Sequence, residues 1–100
     1  MNSQMQNLMA QAQRMQKEIT KKQEEIYKTN YTGKSEWVEV VFTGKKELVN
    51  LTLKHDGDLN EDKDMLQDMI AIAIKDAFNQ IEKDISNKLG MYNSMLGGLM

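Results

Sequence analysis

The first quarter of the chain has apolar positions at alternating steps of four and three residues, the heptad spacing of a helix with one narrow apolar face. These seam positions are Met1, Met5, Leu8, Ala12, Met15, Ile19, Lys22 and Ile26, with Lys22 as the charged break. Residues 3–30 contain no glycine or proline. The pattern predicts a helix of about 25 residues, roughly 37 Å long, whose seam packs on a helix of the same chain or of another copy.

Alternation with period two predicts strands after this helix. Residues 29–35 include Gly33 and fit either a short strand or a loop. Residues 37–43 and 48–54 both alternate, and the glycine-containing segment 44–46 between them predicts an antiparallel hairpin. On the second of these strands, one face is predicted to carry Val49, Leu51 and Leu53.

A wide apolar arc predicts a second long helix, which Asn60 or Asp62 can cap and Gly90 is expected to end. The arc consists of Leu66, Met69, Ile70, Ala73, Ile74, Ala77, Phe78, Ile81 and Ile85. One sheet face cannot cover an arc of about half the circumference, so the rest is expected to pack on another helix or subunit. The pattern predicts a single α+β domain over residues 1–90 and a flexible apolar tail over residues 91–100.

Composition narrows the function classes. The 100 residues include no cysteine, so disulfides, thiolate metal sites and cysteine nucleophiles are excluded. The N-terminus lacks the basic and apolar regions of a signal peptide, and no apolar run is long enough to span a membrane. These features favour the cytoplasm.

No motif predicts catalysis, a cofactor or a metal. Residues 56–61 begin like an EF-hand loop, but Glu61 and Gln67 stand where that loop needs glycine and glutamate, so a helix-entry turn is the better interpretation. His55 beside Asp56 could act as an oriented base, yet a solvent-facing histidine at a strand end is favoured because no nucleophile is suggested nearby. The chain is predicted not to be an enzyme.

The charge is distributed unevenly along the chain. The net charge of −2 is the sum of +3 over residues 1–55 and −5 over residues 56–100. At 100° per residue, four cations of the first helix fall within about 60° of one another. With three cations of the loop and the hairpin turn, the candidate DNA contacts are Arg14, Lys17, Lys21, Lys28, Lys34, Lys45 and Lys46. Such a stripe could follow a phosphate backbone without reading bases.

An ordinary solvated helix is the competing interpretation of the same charges. Glu18 and Glu25 lie close to the stripe, and four pairs of opposite charges are spaced for i,i+4 contacts. The pairs are Arg14–Glu18, Glu18–Lys22, Lys21–Glu25 and Glu24–Lys28.

Four segments, in this order and spacing, resemble the YbaB/EbfC family of nucleoid-associated proteins over nearly the whole chain. They are the glutamine- and methionine-rich start at residues 5–16, Thr32-Gly33 followed by Val38-Glu39-Val40-Val41-Phe42-Thr43-Gly44, the acidic helix entry at residues 59–69, and the glycine- and methionine-rich end at residues 94–99. The chain departs from the family pattern at residues 34–37, Lys-Ser-Glu-Trp, where more glycine is typical.

The resemblance implies an α-β-β-β-α fold, a tweezer-shaped homodimer, and a non-catalytic DNA-binding role at the bacterial nucleoid. It also suggests effects on nucleoid organisation, gene expression or recombination and repair. Candidate residues for the core or the dimer seam are Met5, Leu8, Ala12, Met15, Ile19, Ile74, Phe78, Ile81 and Ile85.

Two functions therefore compete. The first is a homodimer that binds duplex DNA mainly through backbone phosphates, with no small-molecule substrate and no membrane contact. The alternative is a protein-interaction scaffold that recruits a partner through the acidic second helix and the apolar tail.

Overall fold

The structure, a computed structural model, describes residues 3–93 and consists of two long helices joined by three strands. The elements are α1 (Ser3–Lys28), β1 (Asn30–Lys34), β2 (Val38–Thr43), β3 (Leu48–Leu53) and α2 (Lys63–Asn93). This order confirms the predicted α+β class with α-β-β-β-α topology. No helix within residues 3–93 is long and apolar enough to cross a membrane.

The strands form an antiparallel sheet in the order β1-β2-β3, so residues 29–35 do contribute a strand. The predicted turn joins β2 to β3, and Lys46 adopts a left-handed φ of 66° there. The register shifts between Val41 and Phe42, which places Leu48 opposite Phe42. Val49 is thus left out of the register at a bulge, whereas Leu51 and Leu53 share one face opposite Val40 and Val38, as predicted.

The main core lies between α2 and the first two strands. Side chains of β2 alternate between buried and half-buried, and Val38, Val40 and Phe42 point towards α2. Ala73, Ala77 and Ile81 form the buried line of α2, as the apolar arc predicts. Phe78 packs edge-to-face on Phe42, with ring centroids 4.9 Å apart.

A second, smaller core joins α1 to α2. Ile19 and Ile26 of α1 pack with Leu89 and Tyr92 of α2. Lys22, the charged break in the heptad, places its ammonium 5.3 Å from the centre of the Tyr92 ring. A cation–π contact therefore fills the seam position that lacks an apolar side chain.

Gly90 does not end α2, which continues to Asn93. Tyr92 is buried against α1, and this contact favours the extra helical turn over the intrinsic tendency of glycine to end a helix. Residues 91–93 thus belong to the helix rather than to the predicted tail. The rest of that tail, residues 94–100, lies outside the described residues.

The N-terminal half of α1 extends beyond the α1–α2 core. Every side chain from residue 3 to residue 14 is exposed, and the molecule measures 74 × 20 × 15 Å. Twelve helical residues correspond to an arm of about 18 Å.

His55 is not solvent-facing, contrary to the prediction. Its ring stacks on Trp37 at 3.9 Å between centroids, and Nε2 lies 2.8 Å from an oxygen of Asp62 rather than pairing with Asp56. Asp62 directly precedes α2, and its carbonyl accepts a hydrogen bond from Leu66 N–H at 2.8 Å. The ring stack and this hydrogen bond together hold the start of α2 against the sheet.

Candidate nucleic-acid interface

The cationic stripe of α1, defined as Arg14, Lys17, Lys21 and Lys28, is exposed along its whole length. At 100° per residue it lies about 150° around the helix from the seam that packs on α2. It spans the 15 residues from Arg14 to Lys28, a rise of about 21 Å, which is less than one turn of duplex DNA. This geometry lets all four side chains face one binding partner.

The ion pairs expected of an ordinary solvated helix do not form on α1. No salt bridge among residues 3–93 involves Arg14, Lys17 or Lys21. Glu18 instead accepts a hydrogen bond from the hydroxyl of Tyr92 at 2.9 Å, and this bond raises the pKa of the Tyr92 phenol. The carboxylate of Glu18, which could neutralise the stripe, therefore bonds to α2 instead.

At its C-terminal end the stripe meets the hairpin turn. Lys45 places its ammonium 5.2 Å from the centre of the Tyr27 ring, and both residues line a pocket of about 400 Å³ with Lys28. Glu24 and Glu47 line the same pocket, so its charge is mixed. Tyr27 is not among the predicted contact residues, although an aromatic residue beside Lys28 and outside the heptad seam was a signal for it.

Two predicted cations do not join the stripe. Lys46 bonds to Glu82 at 3.1 Å and lies 5.4 Å from the centre of the Phe78 ring, so it faces α2. Lys34 lies opposite Glu39 in the strand register, at the end of β1 away from the hairpin turn, about 14 Å from the start of that strand. Its backbone N–H donates to Asp76 at 2.9 Å, which adds a carboxylate to its surroundings.

The predicted seam residues divide by burial. Ile19 and Ile81 are buried, whereas the half-buried members are Met15, Ile74, Phe78 and Ile85. Ala12 is exposed, and Met5 and Leu8 are exposed to 56% and 66%.

Of the two edge strands of the sheet, α2 covers β1 and leaves β3 uncovered. Side chains of α2 cover β1, since Asp76 accepts from Lys34 N–H and Gln80 donates to the carbonyl of Thr32 at 2.8 Å. Within residues 3–93, α2 makes no comparable contact with β3. Four apolar side chains of β3 are therefore 38–56% exposed, namely Leu48, Val49, Leu51 and Leu53.

The EF-hand-like stretch forms the turn that leads into α2. A carboxylate oxygen of Asp58 accepts from the N–H of Asn60 at 2.9 Å, and its carbonyl accepts from Glu61. Within the described part of the chain, no group of three or more histidine, aspartate or glutamate side chains could hold a metal ion.

Known proteins are similar to this chain in sequence and in fold. Residues 1–96 match the YbaB/EbfC DNA-binding family. Two relatives are 44% identical over 94 residues, covering 92% of this chain and 95% of each relative: a nucleoid-associated protein of Streptococcus equi subsp. zooepidemicus and nucleoid-associated protein LL0120 of Lactococcus lactis. The crystal structure of uncharacterized protein HP0035 from Helicobacter pylori superposes with a TM-score of 0.61 at 32% identity, covering 76% of this chain and 90% of that one. The chain belongs to the YbaB/EbfC DNA-binding family.

Proposed function

We propose that this protein is a nucleoid-associated homodimer that binds duplex DNA mainly through backbone phosphates, with little readout of base sequence. The observation that carries the proposal is the exposed cationic stripe of α1 in a chain of a DNA-binding family. Its location at the nucleoid follows the names of the relatives.

The arrangement of cations favours phosphate contacts. Lysine and arginine side chains that project from one long helix face can neutralise phosphates and release counterions, which gives affinity without sequence information. The four stripe residues lie within a narrow sector, and Tyr27 is 41% exposed beside its C-terminal end. No recognition motif accompanies them in the sequence, so any preference should come from DNA shape.

The uncovered strand β3 supports a homodimer. An exposed edge strand with several apolar side chains is a common site of pairing with another chain. Leu51 and Leu53 stand opposite the buried Val40 and Val38, so they extend the apolar face of the sheet beyond the area that α2 covers. A second copy that covers this face would bury them and would double the number of cationic stripes.

A salt titration of DNA binding tests the proposal. Binding of the full chain to a labelled duplex should weaken steeply as salt rises, with a slope of log affinity against log salt of about −0.9 for each phosphate contacted. Duplexes of different sequence should bind with similar affinity. Absence of binding at low salt, or an affinity independent of salt, would contradict the proposal.

A further inference from the structure

We propose that the pocket beside the hairpin turn binds an unpaired base of DNA, which stacks on the ring of Tyr27 while its phosphate lies beside Lys28. The pocket is lined by one aromatic, two basic, two acidic and one hydroxyl side chain, namely Tyr27, Lys28, Lys45, Glu24, Glu47 and Thr43. It gives the protein a preference for duplexes with a single-stranded gap over fully paired ones. This inference deepens the proposed function and rests on it.

Close backbone packing holds the hairpin turn against the end of α1. An added Cβ on Gly44 would lie 2.0 Å from the carbonyl oxygen of Ile26, so only glycine fits at this contact. The hydroxyl of Thr43 accepts hydrogen bonds from the N–H groups of Lys45 and Glu47, at 3.2 and 3.3 Å. These contacts fix the backbone on both sides of the pocket, which is therefore formed before a ligand binds.

The ring of Tyr27 offers a stacking surface with cations beside it. Tyr27 and Lys28 are exposed, and the ammonium of Lys45 lies 5.2 Å from the ring centre. An exposed aromatic ring next to lysines is the combination with which proteins bind single-stranded DNA. A base that stacks on this ring takes the place of the ammonium, which is then available to the adjoining phosphate.

The two carboxylates of the pocket favour a nucleotide over a simple anion. Among the described residues, neither Glu24 nor Glu47 forms a salt bridge, so both are available as hydrogen-bond acceptors. They repel an isolated phosphate or the carboxylate of an acidic peptide. A base presents N–H groups to them and a phosphate to the lysines. The volume of about 400 Å³ lies within the range of about 300–1,000 Å³ that is typical of small-ligand sites.

Lys28 belongs both to the cationic stripe and to the pocket, so the two surfaces are continuous. Lys21, the preceding residue of the stripe, lies a rise of about 10 Å before it, or about three steps of 3.4 Å along one DNA strand. A strand that follows the stripe therefore leads into the pocket. Inside a duplex both faces of a base are covered by its neighbours, so only an unpaired base has a face free for Tyr27.

Competition binding at low salt tests the pocket with two duplexes of equal length, one fully paired and one with a short single-stranded gap. The full wild-type chain should bind the gapped duplex about tenfold more tightly. Tyr27→Ala should abolish this preference and leave the affinity for the paired duplex unchanged. Tyr27→Phe keeps the ring and should retain both. Because Tyr27 is exposed, the alanine variant should fold, which circular dichroism checks.

The outcomes separate the pocket from the proposed function. Equal wild-type affinity for the two duplexes, or a preference that survives Tyr27→Ala, would overturn the pocket and leave phosphate binding by the stripe intact. Binding of the gapped duplex alone would support the pocket and contradict the proposed function, and absence of all binding would overturn both. A free mononucleotide that competes as well as the gapped duplex would overturn the assignment of the ligand to DNA.

Photochemical cross-linking gives a direct readout of stacking. A gapped duplex that carries iodouracil at an unpaired position should cross-link to Tyr27 on irradiation, as mass spectrometry of the peptides would show. The same base at a paired position should give about tenfold less of this product, because its faces are covered. Cross-links confined to other aromatic residues, such as Trp37 beside β2, would overturn the proposal.

Discussion

Tyr31 links the first strand to α2 through its hydroxyl. Tyr31 is 7% exposed, and its phenol donates a hydrogen bond to Asp84, which also bonds to Lys88 at 3.0 Å. Burial, reinforced by Asp84, raises the pKa of Tyr31 to about 12. The same hydrogen bond lowers the pKa of the Asp84 carboxyl below its ordinary value of 3.8. The neutral phenol and the ionised carboxylate are therefore the forms that stabilise the fold.

Replacing Tyr31 by phenylalanine should lower the free energy of unfolding by about 1–2 kcal/mol near pH 7, because a hydrogen bond to a charged acceptor is lost. The lowered pKa of Asp84 stabilises the fold above pH 3.8, and this contribution disappears as the pH falls through the folded-state pKa. The raised pKa of Tyr31 stabilises the fold below pH 10.0, and this contribution disappears as the pH rises towards 12.

Urea unfolding across this pH range measures the effect. The difference in free energy of unfolding between wild-type and Y31F should be largest between pH 3.8 and pH 10.0, the ordinary pKa values of the two groups. It should become smaller at lower and at higher pH. The exposed Tyr27 offers a matched control, and Y27F should change stability by less than about 0.5 kcal/mol. A Y31F difference that does not vary with pH would contradict the assigned hydrogen bond.

Two glycines occupy opposite environments in their elements. Gly33 of β1 lies against the backbone of α2, where an added Cβ would overlap the carbonyl oxygen of Ala73 and lie 2.6 Å from Ala77 N. A Cβ on Gly90, within α2, would have no atom within 4 Å. An alanine substitution at Gly33 therefore tests close packing, and the same substitution at Gly90 tests helix propensity.

Gly33→Ala should destabilise the protein by about 2–3 kcal/mol, because α2 must move away from β1. Gly90→Ala should stabilise it by about 0.5–1 kcal/mol, since alanine favours helix and meets no clash. Thermal and urea unfolding of the two variants and of wild-type measure whether each substitution raises or lowers the free energy of unfolding. Destabilisation by Gly90→Ala would contradict the helical continuation of α2 to Asn93.

Local periodicity was sufficient to predict most elements. The heptad of α1 reflects packing on one helix, and the alternation of β2 reflects packing of one strand face on α2. Both elements can therefore be predicted from the sequence alone. The errors arose where distant contacts decide the structure. Tyr92 packs on α1, and α2 continues past Gly90. The bulge beside Val41 leaves Val49 out of the strand register, and His55 contacts Trp37 and Asp62 instead of facing solvent.

The candidate interface, too, could be predicted from the sequence only in part. Helix geometry alone places Arg14, Lys17 and Lys21 on one face, so the sequence predicts that part of the stripe. The approach of Lys45 to Tyr27 and the pairing of Lys46 with Glu82 depend on how the hairpin meets the helices, which no local pattern encodes.

At the scale of the whole molecule, β3 is the proposed dimer surface. Leu51→Asp would place a charge on the apolar face opposite Val40, where a second copy is expected to pack. The variant should have a mass near 11.5 kDa in light scattering, whereas wild-type should have about twice that mass.

Ile72→Asp is the control, because Ile72 is 52% exposed on α2, outside its apolar arc. It should remain dimeric, and circular dichroism should confirm that both variants are folded. A folded Leu51→Asp variant that remains dimeric would contradict the assignment of β3 to the dimer surface.

The net charge of the whole molecule is −2 although α1 carries the cationic stripe. Comparing the DNA affinity of two variants with equal net charge, one changed on the stripe and one changed elsewhere, tests the stripe most directly. K17E/K21E reverses two charges on the stripe, and K75E/K83E makes the same change at exposed positions of α2. Duplex-DNA affinity of both variants is measured against salt concentration. The stripe variant should bind at least about tenfold more weakly at low salt, with a salt slope reduced by about 0.9 for each lost phosphate contact, while the α2 variant retains the wild-type slope. Equal losses in the two variants, or no loss in the stripe variant, would contradict phosphate binding by α1.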